Sequence, residues 1–190
     1  MDFDDTPEEA AFRVKARTFL DANSERREAG VGAIYRAGTE SAEFRAKAKA
    51  WQAKKADAGY AAITWPKEWS GQGGSAIQQV VYDQEEAKYA VPRGIFEIGL
   101  GMCIPTLCTW GTQAHRDRYV EKALRGEEIW CQLFSEPAAG SDLAGLRTRA
   151  ERDGDDWVIN GQKIWTSGAQ FSDFGVLVTR TDFAAPKPRG

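Results

Sequence analysis

The spacing of apolar residues changes near residue 127, and this change restricts the possible folds more than any other feature of the chain. Before this point apolar side chains recur at helical intervals, as on the first predicted helix with Phe12, Ala16, Phe19 and Leu20. Beyond it, short runs rich in β-branched and aromatic residues follow one another. Helices followed by strands, without alternation, predict an α+β chain with an all-α N-terminal helical domain (1–126) and an antiparallel sheet domain (127–190).

Five helices are predicted in the first part. The first begins with a capping box, Thr6-Pro7-Glu8-Glu9, in which Thr caps the helix and Pro occupies its first turn. We expect it to end by the Gly30–Gly32 region. The other four are predicted at about Thr39–Ala58, Ser75–Tyr89, Ile95–Trp110 with a kink or start near Pro105, and Thr112–Leu124.

A β-hairpin is predicted around Asn160-Gly161, because this dipeptide is a strong two-residue turn signal between two strand-like runs, 157–159 and 162–165. Further strands are predicted at 129–134 and 174–179. Four or five strands leave sheet edges uncovered, and sheets normally close or protect their edges. We therefore expect the β domain in this chain to be incomplete.

Composition excludes several classes of function. The 190 residues include 25 basic and 28 acidic side chains, which argues against a general nucleic-acid binder. No apolar run reaches the ~18–20 residues of a membrane span. Three cysteines without a CxxC pair, and a single histidine, argue against a metal site or a disulfide framework. Together with an acidic N-terminus unlike a secretory signal, this favours a cytoplasmic protein.

Two segments of the second part carry candidate chemistry. The turn Ser135–Asp142 follows a strand and presents backbone N–H groups and hydroxyls that suit a phosphate or a polar ring edge. Trp165-Thr166-Ser167 places a flat ring beside two hydroxyls. Taken alone, each segment also has an ordinary interpretation, the first as a capped turn and the second as a core tryptophan.

Together the two segments resemble the N-terminal half of the acyl-CoA dehydrogenase family. Residues 131–142, CQLFSEPAAGSD, resemble the family signature (S/T)EPxAGSD, and residues 156–167, DWVINGQKIWTS, resemble its second block, NGxKxW(T/S). Segments 63–71 and 111–113 are also similar to family sequences, so the resemblance spans nearly the whole chain.

The resemblance implies an FAD enzyme that removes two hydrogens from an acyl-CoA, as in β-oxidation of fatty acids. It implies that the second domain is an incomplete antiparallel β-barrel-like domain that holds the flavin. It also implies an oligomer, homomeric or heteromeric, that passes electrons to an electron-transfer flavoprotein. The implied cofactor-binding residues are Gln132, Leu133, Phe134, Ser135, Gly140, Ser141, Trp165, Thr166 and Ser167, with Ser141 also placed near the CoA chain of the substrate.

No catalytic residue is assigned within the chain, because the family's glutamate base belongs to a C-terminal helical domain. We expect Glu136 to be structural, and we expect the 190 residues alone to be inactive. Gln132, Phe134 and Ser135 depart from the commoner family residues, and segment 99–106 either borders the acyl pocket or packs between helices. The chain is either a fragment or one member of a complementary pair, and the alternative function is a non-catalytic module that completes a partner chain.

Overall fold

The computed structural model describes residues 4–28, 41–187 and 189. Its helices are α1 (Pro7–Asn23), α2 (Ala42–Asp57), α3 (Ala76–Glu86), α4 (Ile104–Trp110) and α5 (Gln113–Leu124), with a π-helical segment, Gly99–Cys103, leading directly into α4. Its strands are β1 (Trp130–Leu133), β2 (Arg149–Asp153), β3 (Asp156–Asn160) and β4 (Phe174–Leu177). The order of helices before strands confirms the predicted α+β class.

The predicted helix starts follow from capping. Thr6, Ser75 and Thr112 each accept a hydrogen bond from the backbone N–H three residues later, which satisfies a donor that the first helical turn leaves unpaired. Two predicted ends differ, since α1 already ends at Asn23 and α3 at Glu86. The predicted boundaries at Thr39 and at Gly30–Gly32 lie outside the described residues.

The helices share a core with the first and last strands. Trp130 on β1, Phe174 on β4 and Tyr119 on α5 form a group of aromatic rings whose centroids lie 5.1–5.3 Å apart. Gly99 faces the same strand, because a Cβ there would lie 3.0 Å from the Trp130 Cβ. The two strands therefore pack on the helical part, and this packing fixes the position of their C-terminal ends.

The strands form two separate pairs. β2 and β3 form an antiparallel hairpin, whereas β1 and β4 pair in parallel, from Trp130 opposite Phe174 to Leu133 opposite Leu177. A parallel pair requires a long crossover, and here the crossover contains the hairpin itself. Within the described residues the strands close no barrel, in agreement with the predicted incomplete β domain.

The prediction of a hairpin turn at Asn160-Gly161 is wrong. The turn lies at Gly154, which has φ +62°, and residues 149–153 form the partner strand that sequence patterning missed. Gly161 is not among the residues with positive φ, and a Cβ there would lie 2.7 Å from the Thr148 Cα. The glycine therefore allows two backbone segments to approach closely instead of forming a turn.

Candidate functional site

The structure brings together the two segments predicted to hold chemistry. The Ile164 N–H donates to the Ser135 carbonyl at 2.9 Å, and the Lys163 ammonium donates to the Phe134 carbonyl at 2.9 Å. The chain leaving β1 therefore runs against residues 163–164, directly before the Trp165-Thr166-Ser167 segment. Gly140 and Ser141 lie at the exposed end of their turn, and no hydrogen bond between described residues joins them to this segment.

Glu136 is the centre of the contacts between the two segments. Its carboxylate accepts hydrogen bonds from the backbone N–H groups of Arg147 (2.6 Å) and Thr148 (2.8 Å), from the Thr148 hydroxyl (2.6 Å), and from the Lys163 ammonium (2.8 Å). Burial alone would raise its pKa, but these hydrogen bonds, led by that of Lys163, outweigh it and lower the pKa of Glu136 to about 2. A carboxylate engaged in this way is a structural group, as the sequence predicts.

Trp165 combines strain with exposure. Its φ is +58°, and among the described residues only Ser70 shares a positive φ without being glycine. The residue is 82% exposed. A bulky residue in this region of the Ramachandran plot costs about 1–3 kcal/mol and persists only where its neighbours enforce it. The ring is thus held out of the core as a flat surface, so the alternative interpretation of Trp165 as a core residue does not apply.

Two hydroxyls, those of Thr166 and Ser167, follow this ring in the chain, and a third belongs to Ser135, whose carbonyl is bonded to Ile164. Within the part of the chain that the structure describes, the side chains of Ser135, Thr166 and Ser167 take part in no hydrogen bond, although backbone groups of all three do. The turn that follows Ser135 is closed by reciprocal backbone bonds between Glu136 and Ala139 at 2.8 and 3.1 Å. The site therefore offers a ring and unengaged hydroxyls on a scaffold fixed by backbone hydrogen bonds.

A cavity of about 310 Å³ lies in the helical part, between α2, α3 and the segment leading into α4. Its lining mixes aromatic and aliphatic side chains with charged ones: Trp51, Trp65, Phe96, Leu100, Lys55 and Glu86. Of segment 99–106, only Leu100 and Gly101 line it, whereas Cys103 and Ile104 are core residues. Phe171, three residues after Gly168, packs against the core cluster that contains Phe96.

Comparison with known proteins identifies this arrangement. The model of the acyl-CoA dehydrogenase N-terminal domain matches residues 6–127, and that of the acyl-CoA dehydrogenase middle domain matches residues 131–190. The chain belongs to the acyl-CoA dehydrogenase family. Acyl-CoA dehydrogenase IpdE1 of Mycobacterium tuberculosis is 36% identical over 94% of this chain and 46% of its own length. The chain thus spans about half the length of this relative.

Solved structures of the acyl-CoA dehydrogenase family share the fold. A structure described as the Tcur3481-Tcur3483 steroid ACAD superposes with a TM-score of 0.73 at 33% identity, covering 98% of this chain and 46% of that one. The ChsE4-ChsE5 complex of Mycobacterium tuberculosis gives a TM-score of 0.71 at 31% identity, covering 97% and 45%. The similarity extends over both the helices and the strands of this chain.

The residues present fit the FAD that the family implies. The side-chain oxygen Oε1 of Gln132 is buried and has no hydrogen-bond partner, which costs free energy unless a donor reaches it. A Cβ built on Gly140 would meet nothing within 4 Å, so the turn leaves open space there. An unpaired acceptor, an exposed ring and free hydroxyls on adjacent segments suit a large, flat, polar-edged cofactor. In the described residues, no three potential metal ligands cluster and no helix could span a membrane.

The role of Lys163 is not visible in the sequence pattern. It lies within the second family-like block, but only the fold shows that its ammonium reaches back to Phe134 and Glu136. Its side chain is 8% exposed, an unusual state for lysine. The available signal was an acidic residue, Glu136, in one block and a basic residue, Lys163, in the other.

Proposed function

We propose that this chain is the flavin-binding part of an FAD-dependent acyl-CoA dehydrogenase, with a helical domain at 1–126 and a partial flavin-binding domain at 127–190. The observation that supports it most is the junction of the two family blocks, which places exposed Trp165 beside hydroxyls that have no partner. When bound, FAD would supply the two-electron oxidation, accepting the hydride that leaves the β-carbon of the acyl group.

The residues of this chain would bind and orient the flavin. Backbone groups of Gln132, Leu133 and Phe134 and the hydroxyl of Ser135 would meet the pyrimidine edge, where donors stabilise the negative charge of the reduced ring. Trp165 would pack against the ring, with Thr166 and Ser167 bonding its polar edge. Gly140 and Ser141 would lie near the pyrophosphate or the CoA chain.

The proton of the α-carbon needs a base, and Glu136 is not available for it. All four of its close donors are internal to the chain, and its lowered pKa makes it a poor proton acceptor. We assign the base to a residue outside these 190, in a longer form of the protein or in a partner chain. The 190 residues alone are then inactive.

We propose a bulky, ring-bearing acyl group as the substrate class. The cavity beside Phe96 and Leu100 has a volume of about 310 Å³. Trp51 and Trp65 in its lining offer flat faces to fused rings, although charged side chains also line it. The described steroid ACAD, at 33% identity, supports the same class. Electrons would pass to an electron-transfer flavoprotein.

A second candidate is a non-catalytic module that completes a partner acyl-CoA dehydrogenase chain. Two neighbours favour it, because each is named for two proteins, ChsE4-ChsE5 and Tcur3481-Tcur3483. A heteromeric oligomer in the cytoplasm is compatible with both candidates. The two differ in whether this chain's own residues hold flavin.

Anaerobic reduction of the flavin tests the catalytic proposal. The full-length protein, with its partner if one co-purifies, is loaded with FAD and mixed with a steroid-ring acyl-CoA or a straight-chain acyl-CoA of similar size. We expect the ring-bearing thioester to bleach the flavin absorbance faster. Bleaching by neither thioester would contradict the proposed activity, and bleaching only by the straight chain would contradict the substrate class.

A further inference from the structure

Among the described residues of the β part, Glu136 and Lys163 form the most buried ion pair. The two side chains are 5% and 8% exposed, and their charged atoms lie 2.8 Å apart. Such a pair is weak evidence for stability, because removing two charges from water offsets much of their attraction. A role other than stabilisation is indicated by the backbone segments that the pair connects.

The pair connects three separate stretches of backbone. Glu136 accepts from the backbone of Arg147 and Thr148, before β2. Lys163 donates to the carbonyl of Phe134, at the end of β1. Since Lys163 follows β3, one contact ties together the residues that flank β1, β2 and β3.

The strained residue follows this contact directly. Ile164 is held by its N–H bond to the Ser135 carbonyl, and Trp165 comes next with its positive φ. After it, Gly168 also has a positive φ and leads into a short 3₁₀ turn, Ala169–Phe171. Backbone strain of this kind persists only when both flanks are fixed, and Lys163 fixes the preceding flank.

We propose that Glu136 and Lys163 are positioning residues, which hold the Trp165–Ser167 segment opposite Phe134–Ser135 so that the two form one flavin-facing surface. This inference deepens the proposed function. It assigns no chemical step to either residue, because neither needs to touch the flavin. Their charges cancel inside the protein, and the hydrogen bonds they make set the spacing of the surface.

Hydrogen exchange of the flavin-free, full-length protein tests the positioning role. Lys163→Met keeps the aliphatic stem and removes both hydrogen bonds of the ammonium, those to Phe134 and Glu136. Lys47→Met removes a cation from an exposed ion pair with Glu43 and serves as the control. We expect peptides covering 160–170 to exchange at least tenfold faster in Lys163→Met, with the helices unchanged. Unaltered exchange at 160–170, or an equal loss of protection throughout the chain, would overturn the proposal.

Flavin binding supplies the second readout. We expect Lys163→Met to weaken FAD affinity at least tenfold and to alter the visible spectrum of flavin bound at saturation, with no change in Lys47→Met. If Lys163→Met does not fold, the Glu136→Gln variant is used instead, because glutamine has the same shape as glutamate. We expect its FAD affinity to fall about threefold and its exchange at 160–170 to rise about threefold. Wild-type affinity and spectrum in the variant that folds would overturn the role. A wild-type protein that binds no FAD would overturn the proposed function, while the exchange experiment would still test the spacing of the segments.

Discussion

At the scale of single residues, Trp165 shows most clearly how the site departs from ordinary folding rules. A large aromatic side chain normally gains free energy by burial, yet this one is 82% exposed on a backbone with φ +58°. Neither the exposure nor the dihedral angle follows from the local sequence, which fits a core position at the end of a strand equally well. Only the two-block resemblance pointed to Trp165 as a site residue.

Replacing Trp165 by glycine separates folding from flavin binding. Glycine adopts positive φ without the steric cost of about 1–2 kcal/mol, but it loses about 0.5–1 kcal/mol through greater backbone entropy. We expect urea unfolding of the flavin-free protein to show equal or up to about 1 kcal/mol higher stability. FAD affinity should fall about tenfold or more, because the stacking surface is gone. Lower stability of the flavin-free variant would argue that the ring is structural.

Comparing Gly161 with Gly140 tests where the fold requires a residue without a side chain. A Cβ at Gly161 would collide with the backbone and side chain of Thr148, whereas one at Gly140 would meet nothing within 4 Å. We expect Gly161→Ala to destabilise the protein by about 1–3 kcal/mol through overpacking, and Gly140→Ala to leave the flavin-free protein within about 0.5 kcal/mol of wild type. Thermal unfolding measures both. Equal effects would show that Thr148 yields to the added methyl group.

At the scale of elements, capping and amphipathic spacing are local, and they predicted the starts of α1, α3 and α5. Strand pairing is not local. The choice between turns at 154 and at 160–161 depends on whether Gly161 must pass close to Thr148, which no sequence pattern records. The parallel pairing of β1 with β4 likewise depends on the aromatic packing of Trp130 and Phe174 against α5. The Glu136–Lys163 contact also could not be predicted from the sequence, because it depends on how the strands pair.

Two buried carboxylates connect elements and make the fold sensitive to acid. Burial opposes ionisation of Glu85, but hydrogen bonds from Arg17, Lys88 and Arg13 outweigh it and lower the pKa of Glu85 to about 2, as for Glu136. The ordinary glutamate value is 4.5, so the folded state favours the charged forms. This stabilisation is present above pH 4.5 and is lost as the pH falls from about 4.5 to about 2.

Chemical unfolding across this pH range checks the assignment. We expect the wild-type free energy of unfolding to fall steeply between about pH 4.5 and pH 2, and the Glu136→Gln variant to show a shallower fall over the same interval. A Glu43→Gln control removes an exposed carboxylate paired with Lys47 and should change the slope little. Identical slopes for all three proteins would mean that Glu136 titrates alike in the folded and unfolded states.

At the scale of the whole molecule, β1 and β4 pack on the helical part, and hydrogen bonds join the residues that follow β1 to those that follow β3. Family membership gives this arrangement its meaning, since both matched models cover adjoining stretches of the chain. The chain covers 46% of IpdE1. We propose that the other residues of an acyl-CoA dehydrogenase active site, including the base, belong to a longer form of the protein or to a partner chain. We therefore propose that these residues hold FAD, whichever chain supplies the base.

Titration of FAD into the purified full-length protein tests that claim most directly, with wild type compared with the Ser135→Ala/Trp165→Ala double variant. Flavin fluorescence and absorbance report binding, and urea unfolding of both flavin-free proteins controls for folding. We expect wild type to bind FAD and the folded double variant to release it. A wild-type protein that stays colourless after FAD is added, or a double variant that retains FAD with full affinity, would contradict the proposal.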